Sequence, residues 1–434
     1  MRLIARRGGP LSGGAAIPGD KSCSHRALIL SAMAAGESRI AGLLESDDVL
    51  ATARAVEALG ATVERTGPGE WRVTGARWSS PSAPIDCGNS GTAARLLAGA
   101  VAGMDGVVAT LTGDASLSRR PMRRVTAPLE RMGARIEGGE RLPLTIHGGR
   151  LGGTCHLNVP ASAQVKSAIL LAGLGTAAPV EIVEPVASRG HSEIMLGAFG
   201  VDVAIADRPD GRTVALGDRR RLVATSIVIG ADPSSAAFPL VAAAIVPGSS
   251  VAVRGMNVNP LRTGLYETLE AMGADIALDN QRVESGELVA DIRVTYGPLR
   301  PCHVRAEAVP AMIDEIPALA MACAFADGES VIEGLAELKV KESDRLGAIV
   351  AGLAACGVVA IAEGDALHIF GRGAVRGGGE IVTHGDHRIA MAFLTLGLAS
   401  EQPVEVNQAG MIATSFPGYA GVMRSIGAAI EDAP

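Results

Sequence analysis

The chain has 434 residues, nearly half of them apolar and a fifth charged, a balance that places it among globular proteins long enough for two or three domains. A formal net charge of −7 with 3% aromatic residues excludes a basic nucleic-acid footprint and the aromatic platforms of base stacking. Six cysteines without a CxxC pair, no apolar run of 18 residues and an N-terminus lacking a signal-peptide core give the expectation of a reduced, cytoplasmic protein.

The first predicted helix begins at Asp20 and carries Lys21, Ser22 and Arg26 on its first turns. A second starts near Ser46 and closes at Leu59-Gly60-Ala61, where a glycine after the last turn suits the left-handed conformation. The same succession then recurs. Starts at Asn89 and near Ser118 precede Gly133, and starts at Ser162 and near Ser188 precede Gly200. Asp232 and Asn259 precede Gly273, Asp314 and Ser343 precede Gly357, and Asp386 and Ser415 precede Gly427. The first helix of each pair is built from small apolar residues nearly all round, as in Ala168-Ile169-Leu170-Leu171-Ala172, and is predicted to be buried. β-rich stretches at 107–111, 222–229, 251–253, 331–332 and 404–406 complete the unit.

Six units of roughly 72 residues fit an α/β protein of two three-unit domains better than a solenoid, because units this large can close on themselves. The joint falls near Gly230-Ala231-Asp232. Ile17-Pro18-Gly19-Asp20 resembles it and is read as the second strand of one hinge. The expected domains are therefore 20–230, and 1–19 together with 231–434.

Charges gather at the helix starts. Lys21, Arg26, Arg120, Arg189, Lys341, Arg345 and Arg388 are seven such cations, with Arg119-Arg120-Pro121 read as opening a helix and Lys341 and Arg345 as neighbours on one helix face. Cations there oppose the helix dipole, at about 0.3–1 kcal/mol each when exposed. The placement makes sense if an anion sits between the side chain and the free backbone N–H groups. Asn89-Ser90-Gly91-Thr92 offers a helix N-terminus that a ligand can approach closely, and Ser162-Ala163-Gln164 offers a hydroxyl and an amide. Asp314, beside Ile313 and Ile316, reads either as a desolvated acid–base carboxylate or as a plain helix cap. His384 and His387 without further ligands do not make a metal site.

Together, residues 18–26, 88–92, Arg119-Arg120-Pro121-Met122, Ser162-Ala163-Gln164, Lys341-Glu342-Ser343-Asp344-Arg345 and Asp386-His387-Arg388 resemble the 3-phosphoshikimate 1-carboxyvinyltransferase family. The resemblance runs in order from about residue 10 to residue 430 and implies two inside-out domains of three βαβαββ units each. It implies that Lys21, Ser22, Arg26, Ser162, Gln164 and Arg189 bind 3-phosphoshikimate. Gly91, Arg120, Lys341, Arg345 and Arg388 are expected around phosphoenolpyruvate, with Lys21 shared and also catalytic, and Asn89 and Ala163 are expected as further substrate-binding residues. Asp314 and Glu342 resemble the proton-transfer carboxylates. Addition followed by elimination of phosphate, with no cofactor or metal, no nucleic acid or membrane partner, and a monomer are expected on the same ground. Both halves supply site residues, so closure is expected to assemble the site. Glyphosate is expected to compete with phosphoenolpyruvate, using the room left by Gly91. Thr414 stands where many members have lysine. Two rivals are enolpyruvyl transfer to UDP-N-acetylglucosamine and non-catalytic anion binding. The first typically uses a cysteine that 113–120 lacks, and the second leaves Asp314 and Glu342 without a role.

Overall fold

A computed structural model describes residues 1–152, 155–158, 162–209 and 211–433, with 155–158 as strand only. The chain divides into two compact units, one of 19–229 with 283–287 and one of 1–18, 230–282 and 288–434. The chain thus changes unit at 18/19 and 229/230, and a short hairpin tip, 283–287, groups with the first unit.

In the first unit the helices are α1 (Lys21–Met33), α2 (Asp47–Ala58), α3 (Gly91–Ala102), α4 (Arg123–Arg131), α5 (Ala163–Gly173) and α6 (His191–Ala198). In the second they are α7 (Pro233–Ile245), α8 (Gly264–Met272), α9 (Ile316–Phe325), α10 (Arg345–Ala355), α11 (His387–Gly397) and α12 (Tyr419–Ser425). Six four-stranded sheets accompany them among the described residues, each joining one parallel pair to antiparallel neighbours. The strand 226–228 pairs in parallel with Glu37–Ala41, so the end of the first unit completes its first sheet. In the second unit Leu3–Arg6 pairs with Val404–Val406 and Ala429–Asp432, and Ser12–Gly14 pairs with Ser250–Asn257. Those pairings place the first 18 residues in the C-terminal half.

The helices predicted to be buried all round form the two cores. Every residue of α7 is buried, as are nine of α9, from Ile316 through Ala324. In the first unit α3 and α5 approach so closely that a methyl added at Gly99 would collide with the backbone of Ala168. The glycine there is a packing requirement, because helix axes come together only as far as their facing side chains allow. At the other helix type the left-handed glycine recurs six times: Gly60, Gly133, Gly200, Gly273, Gly357 and Gly427 all have positive φ, from 81° to 114°.

Start positions differ from expectation where a loop intervenes. Ser46, Asp20, Ser162, Asp232 and Asp386 are helix caps as read. The stretch at Ser118 is a short 3-10 turn, Leu117–Arg119, and α4 begins only at Arg123. Arg120 precedes Pro121, which disfavours helical geometry at the preceding residue, and it is extended at φ −78°, ψ 138°. The starts near Ser188, Asn259, Ser343 and Ser415 come later, at His191, Gly264, Arg345 and Tyr419. The caps read at Asn89 and Asp314 shift by one, to Ser90 and Glu315. Five described cysteines carry free thiols, whereas the side chain of Cys155 lies outside the described residues.

Candidate active site

In the first unit the starts of α1, α3 and α5 carry the polar residues. Asp20 caps α1 by accepting from the Cys23 amide at 2.8 Å, and Ser90 caps α3 by accepting from the Ala93 amide at 3.1 Å. Ser162 caps α5 without a side-chain bond to the backbone, so its hydroxyl is not spent on the helix. Lys21 pairs with Asp48, the partner sequence reasoning missed. The backbone of Gly91 lies against two guanidinium groups: a Cβ there would be 2.6 Å from Arg95 Nη1 and 2.9 Å from Arg120 Nη1. Arg95, another omission, donates to Gln164 Oε1 at 2.9 Å, and Gln164 Nε2 donates to Thr92 Oγ1 at 3.0 Å. The α3 and α5 starts are thereby fixed to each other by a charge-assisted bond.

Not every expected residue is exposed toward a ligand. Arg26 is buried, with Nε donating to Ser192 Oγ at 2.7 Å, Nη2 to Ser167 Oγ at 2.7 Å and Nη1 to the Ser22 carbonyl at 2.8 Å. It braces α1 against α5 and α6. Asn89 donates to Asp114 at 2.7 Å and holds its own loop. Arg189 is half-buried just before α6. Behind it the fully buried Lys166 ammonium reaches Glu184 at 2.8 Å, Glu193 at 2.7 Å and the Ser188 carbonyl at 3.0 Å. His25 lies between Thr52 and Ser90, and burial, with Lys21 and Arg26 nearby, pushes its pKa well below the usual histidine value. It is a neutral spacer joining α1, α2 and α3.

The second unit gathers the rest into one network. Asp314 Oδ1 is 3.4 Å from Lys341 Nζ and 3.4 Å from Arg345 Nη1. Arg345 Nη2 meets Glu342 at 2.6 Å, and its Nε meets Asp386 at 2.8 Å. Arg388 Nη1 donates to the Asp314 carbonyl at 2.9 Å, while Asp386 accepts from the Arg388 amide at 2.9 Å. Lys341 and Arg345 do not share a helix face, since α10 begins at Arg345 and Lys341 follows a 3-10 turn. Asp314 brings them together instead. The surroundings of its carboxylate are cationic rather than the apolar pocket expected from Ile313 and Ile316.

Charge compensation here is more complete than the sequence implied. Burial opposes the Arg345 charge, yet Asp386, Glu342 and Asp314 together hold its pKa above the ordinary arginine value. Burial also opposes the Asp386 carboxylate, but the Arg345 charge and hydrogen bond leave its pKa below the usual range. Lys341 is shifted down from the ordinary lysine value by burial, with Asp314 counteracting. A second buried group stands behind: Arg262 Nη2 donates to Ser234 Oγ at 2.8 Å and lies 3.9 Å from Glu315 Oε1, which is itself 3.9 Å from Arg388. No sequence signal pointed to Arg262, because its partners are far away in the chain. Thr414 is buried and donates to the Met411 carbonyl at 2.7 Å; no helix of the described residues is long and apolar enough to cross a membrane.

Chemically, the two groups of residues offer hydroxyls, an amide and helix N-termini in one unit, and cations threaded with carboxylates in the other. Such sets bind phosphate and carboxylate and move protons. The family model of EPSP synthase (3-phosphoshikimate 1-carboxyvinyltransferase) matches residues 5–423. The 3-phosphoshikimate 1-carboxyvinyltransferase of Phenylobacterium zucineum is 53% identical over 430 residues, 98% of this chain and 95% of the relative. That of Acidiphilium cryptum is 54% identical over 431 residues, 98% and 96% of the two chains. A solved EPSP synthase from Acinetobacter baumannii superposes with a TM-score of 0.86 at 38% identity, covering 99% of each chain. With a match spanning nearly the whole chain and relatives more than half identical, the protein belongs to the EPSP synthase (3-phosphoshikimate 1-carboxyvinyltransferase) family.

Proposed function

We propose that the residues of the two units divide the work of one reaction, the transfer of the enolpyruvyl group of phosphoenolpyruvate to the 5-hydroxyl of 3-phosphoshikimate with release of phosphate. Family membership supports this reaction over transfer to UDP-N-acetylglucosamine and over anion binding without turnover. The assignment of residues rests on the Asp314 carboxylate, held between Lys341 and Arg345 with Glu342 on the same arginine. Two carboxylates fixed by one guanidinium give an acid and a base at defined positions, and the cations beside them suit an anionic reactant.

In this reading Lys21, Ser22, Ser162, Ala163, Gln164 and Arg189 hold 3-phosphoshikimate, with Arg26 bracing Ser22. Gly91, Arg120, Lys341, Arg345 and Arg388 hold phosphoenolpyruvate, with Lys21 shared. Asn89 shapes the loop before Gly91. Glu342 delivers a proton to the enol methylene, which leaves positive charge at the neighbouring carbon. The 5-hydroxyl attacks that carbon while Asp314 takes its proton. The Glu342 carboxylate then takes a methyl proton back, and the double bond re-forms as the C–O bond breaks and phosphate leaves. The cations offset the repulsion of two phosphorylated, carboxylated reactants and hold them for attack.

Asp314→Asn removes the base while keeping shape and most hydrogen bonds. Turnover is expected to fall on the order of 10²–10⁴-fold, with both KM values within a few-fold of the parent. Steady-state kinetics with each substrate varied checks this. A loss confined to KM would assign Asp314 to binding instead.

A further inference from the structure

The starts of α1 and α6 bring three different metal-donor groups together within the first unit. A carboxylate oxygen of Asp20, Cys23 Sγ and a ring nitrogen of His191 lie within 4.8 Å of one another, and all three residues are buried. Cys23 Sγ is 3.5 Å from His191 Nδ1. Tetrahedral zinc, with bonds of about 2.3 Å to sulfur and 2.0–2.1 Å to imidazole nitrogen, sets those two atoms about 3.5 Å apart. The sulfur–nitrogen spacing already present matches that of two zinc ligands. Glu287 Oε1 lies 2.6 Å from the same nitrogen, closer than the roughly 3.3 Å between two such ligands of one ion. It is a hydrogen-bond partner, with a proton shared between carboxylate and imidazole.

We propose that Asp20, Cys23 and His191 form a site for a thiophilic divalent cation of the zinc class, with Glu287 completing it. On binding, the Cys23 thiol proton leaves to solvent and the imidazole proton moves from Nδ1 to Nε2. The freed Nδ1 and Glu287 then both bond the ion. Three anionic ligands on a dication leave one negative charge, beside an Arg26 guanidinium that already feels Cys23, Asp20 and Glu287. Thiolate, imidazole and carboxylate suit zinc or cobalt and are a poor set for magnesium or calcium. The ion has no part in the enolpyruvyl chemistry. It ties the turn that carries Lys21 to the helix that follows Arg189, residues 168 positions apart in Cys23 and His191.

Cobalt reports the site directly. Titrating Co²⁺ into the chelator-treated full-length protein is expected to give a thiolate-to-cobalt charge-transfer band that saturates near one equivalent. Cys23→Ser is expected to abolish the band and Cys302→Ser to leave it unchanged. Glu287→Gln, which exchanges an anionic ligand for a neutral one of the same shape, is expected to weaken affinity by about tenfold or more. Absence of the band in the parent protein, its persistence in Cys23→Ser, or its loss in Cys302→Ser overturns the proposal.

Discussion

Lys341 and Gly91 show how one side chain, or the lack of one, sets what the site can do. The Lys341 pKa lies below the ordinary lysine value because burial disfavours its charge more than Asp314 restores it. A lysine lowered in this way loses its charge at a lower pH than a free lysine. If the ammonium holds an anionic substrate, KM for phosphoenolpyruvate rises on that alkaline limb. Lys341→Arg keeps its charge throughout and should give a flat KM over the same range. Identical profiles for the two proteins would remove Lys341 from phosphoenolpyruvate binding. At Gly91 an added Cβ would stand 2.6 Å from Arg95 and 2.9 Å from Arg120, so Gly91→Ala must displace a guanidinium. Inhibition constants for glyphosate are expected to rise by about tenfold or more, equivalent to 1.4 kcal/mol. Equal constants in the two proteins would show that the displaced groups do not bound the inhibitor's position.

At the scale of elements, the pairing of α3 with α5 carries both packing and site geometry. A Cβ at Gly99 would meet the Ala168 backbone, and the Arg95–Gln164 bond crosses the same pair near its N-terminal end. Gly99→Ala forces the helices apart and is expected to cost about 1–3 kcal/mol, the usual range for overpacking, seen as a lower urea midpoint. Gly139→Ala, on the surface with open space at Cβ, serves as the control and should change little. No difference between the two would mean that the helices have slack the structure does not show. This scale also marks what could be read from sequence. The inner helices were legible because capping residues and all-round apolar composition are local signals: Asp20, Ser162, Asp232 and Asp386 mark their starts. The left-handed glycines were legible for the same reason. Arg120 was misplaced because the effect of Pro121 on its neighbour outweighed the capping pattern. Asp48, Arg95, Lys166 and Arg262 were missed because their importance comes from partners distant in the chain. Lys166, on an apolar helix, becomes meaningful only beside Glu184 and Glu193.

For the whole molecule, the inner helices are apolar along their bodies and polar at their starts. The apolar bodies lie in the two cores, while Asp20, Lys21, Asp232, Asp386 and Arg388 stand at the starts. Acidic background and local cations are two sides of one arrangement, because carboxylates such as Asp48, Asp314 and Asp386 hold those cations in place. Cations held locally in this way suit anionic ligands without the nonspecific attraction of a basic surface. The acceptor remains the most direct test. Phosphate release should be followed with phosphoenolpyruvate plus 3-phosphoshikimate, and separately with phosphoenolpyruvate plus UDP-N-acetylglucosamine. Stoichiometric release is expected with the first acceptor and none with the second; release with the sugar nucleotide alone, or with neither, would contradict the account.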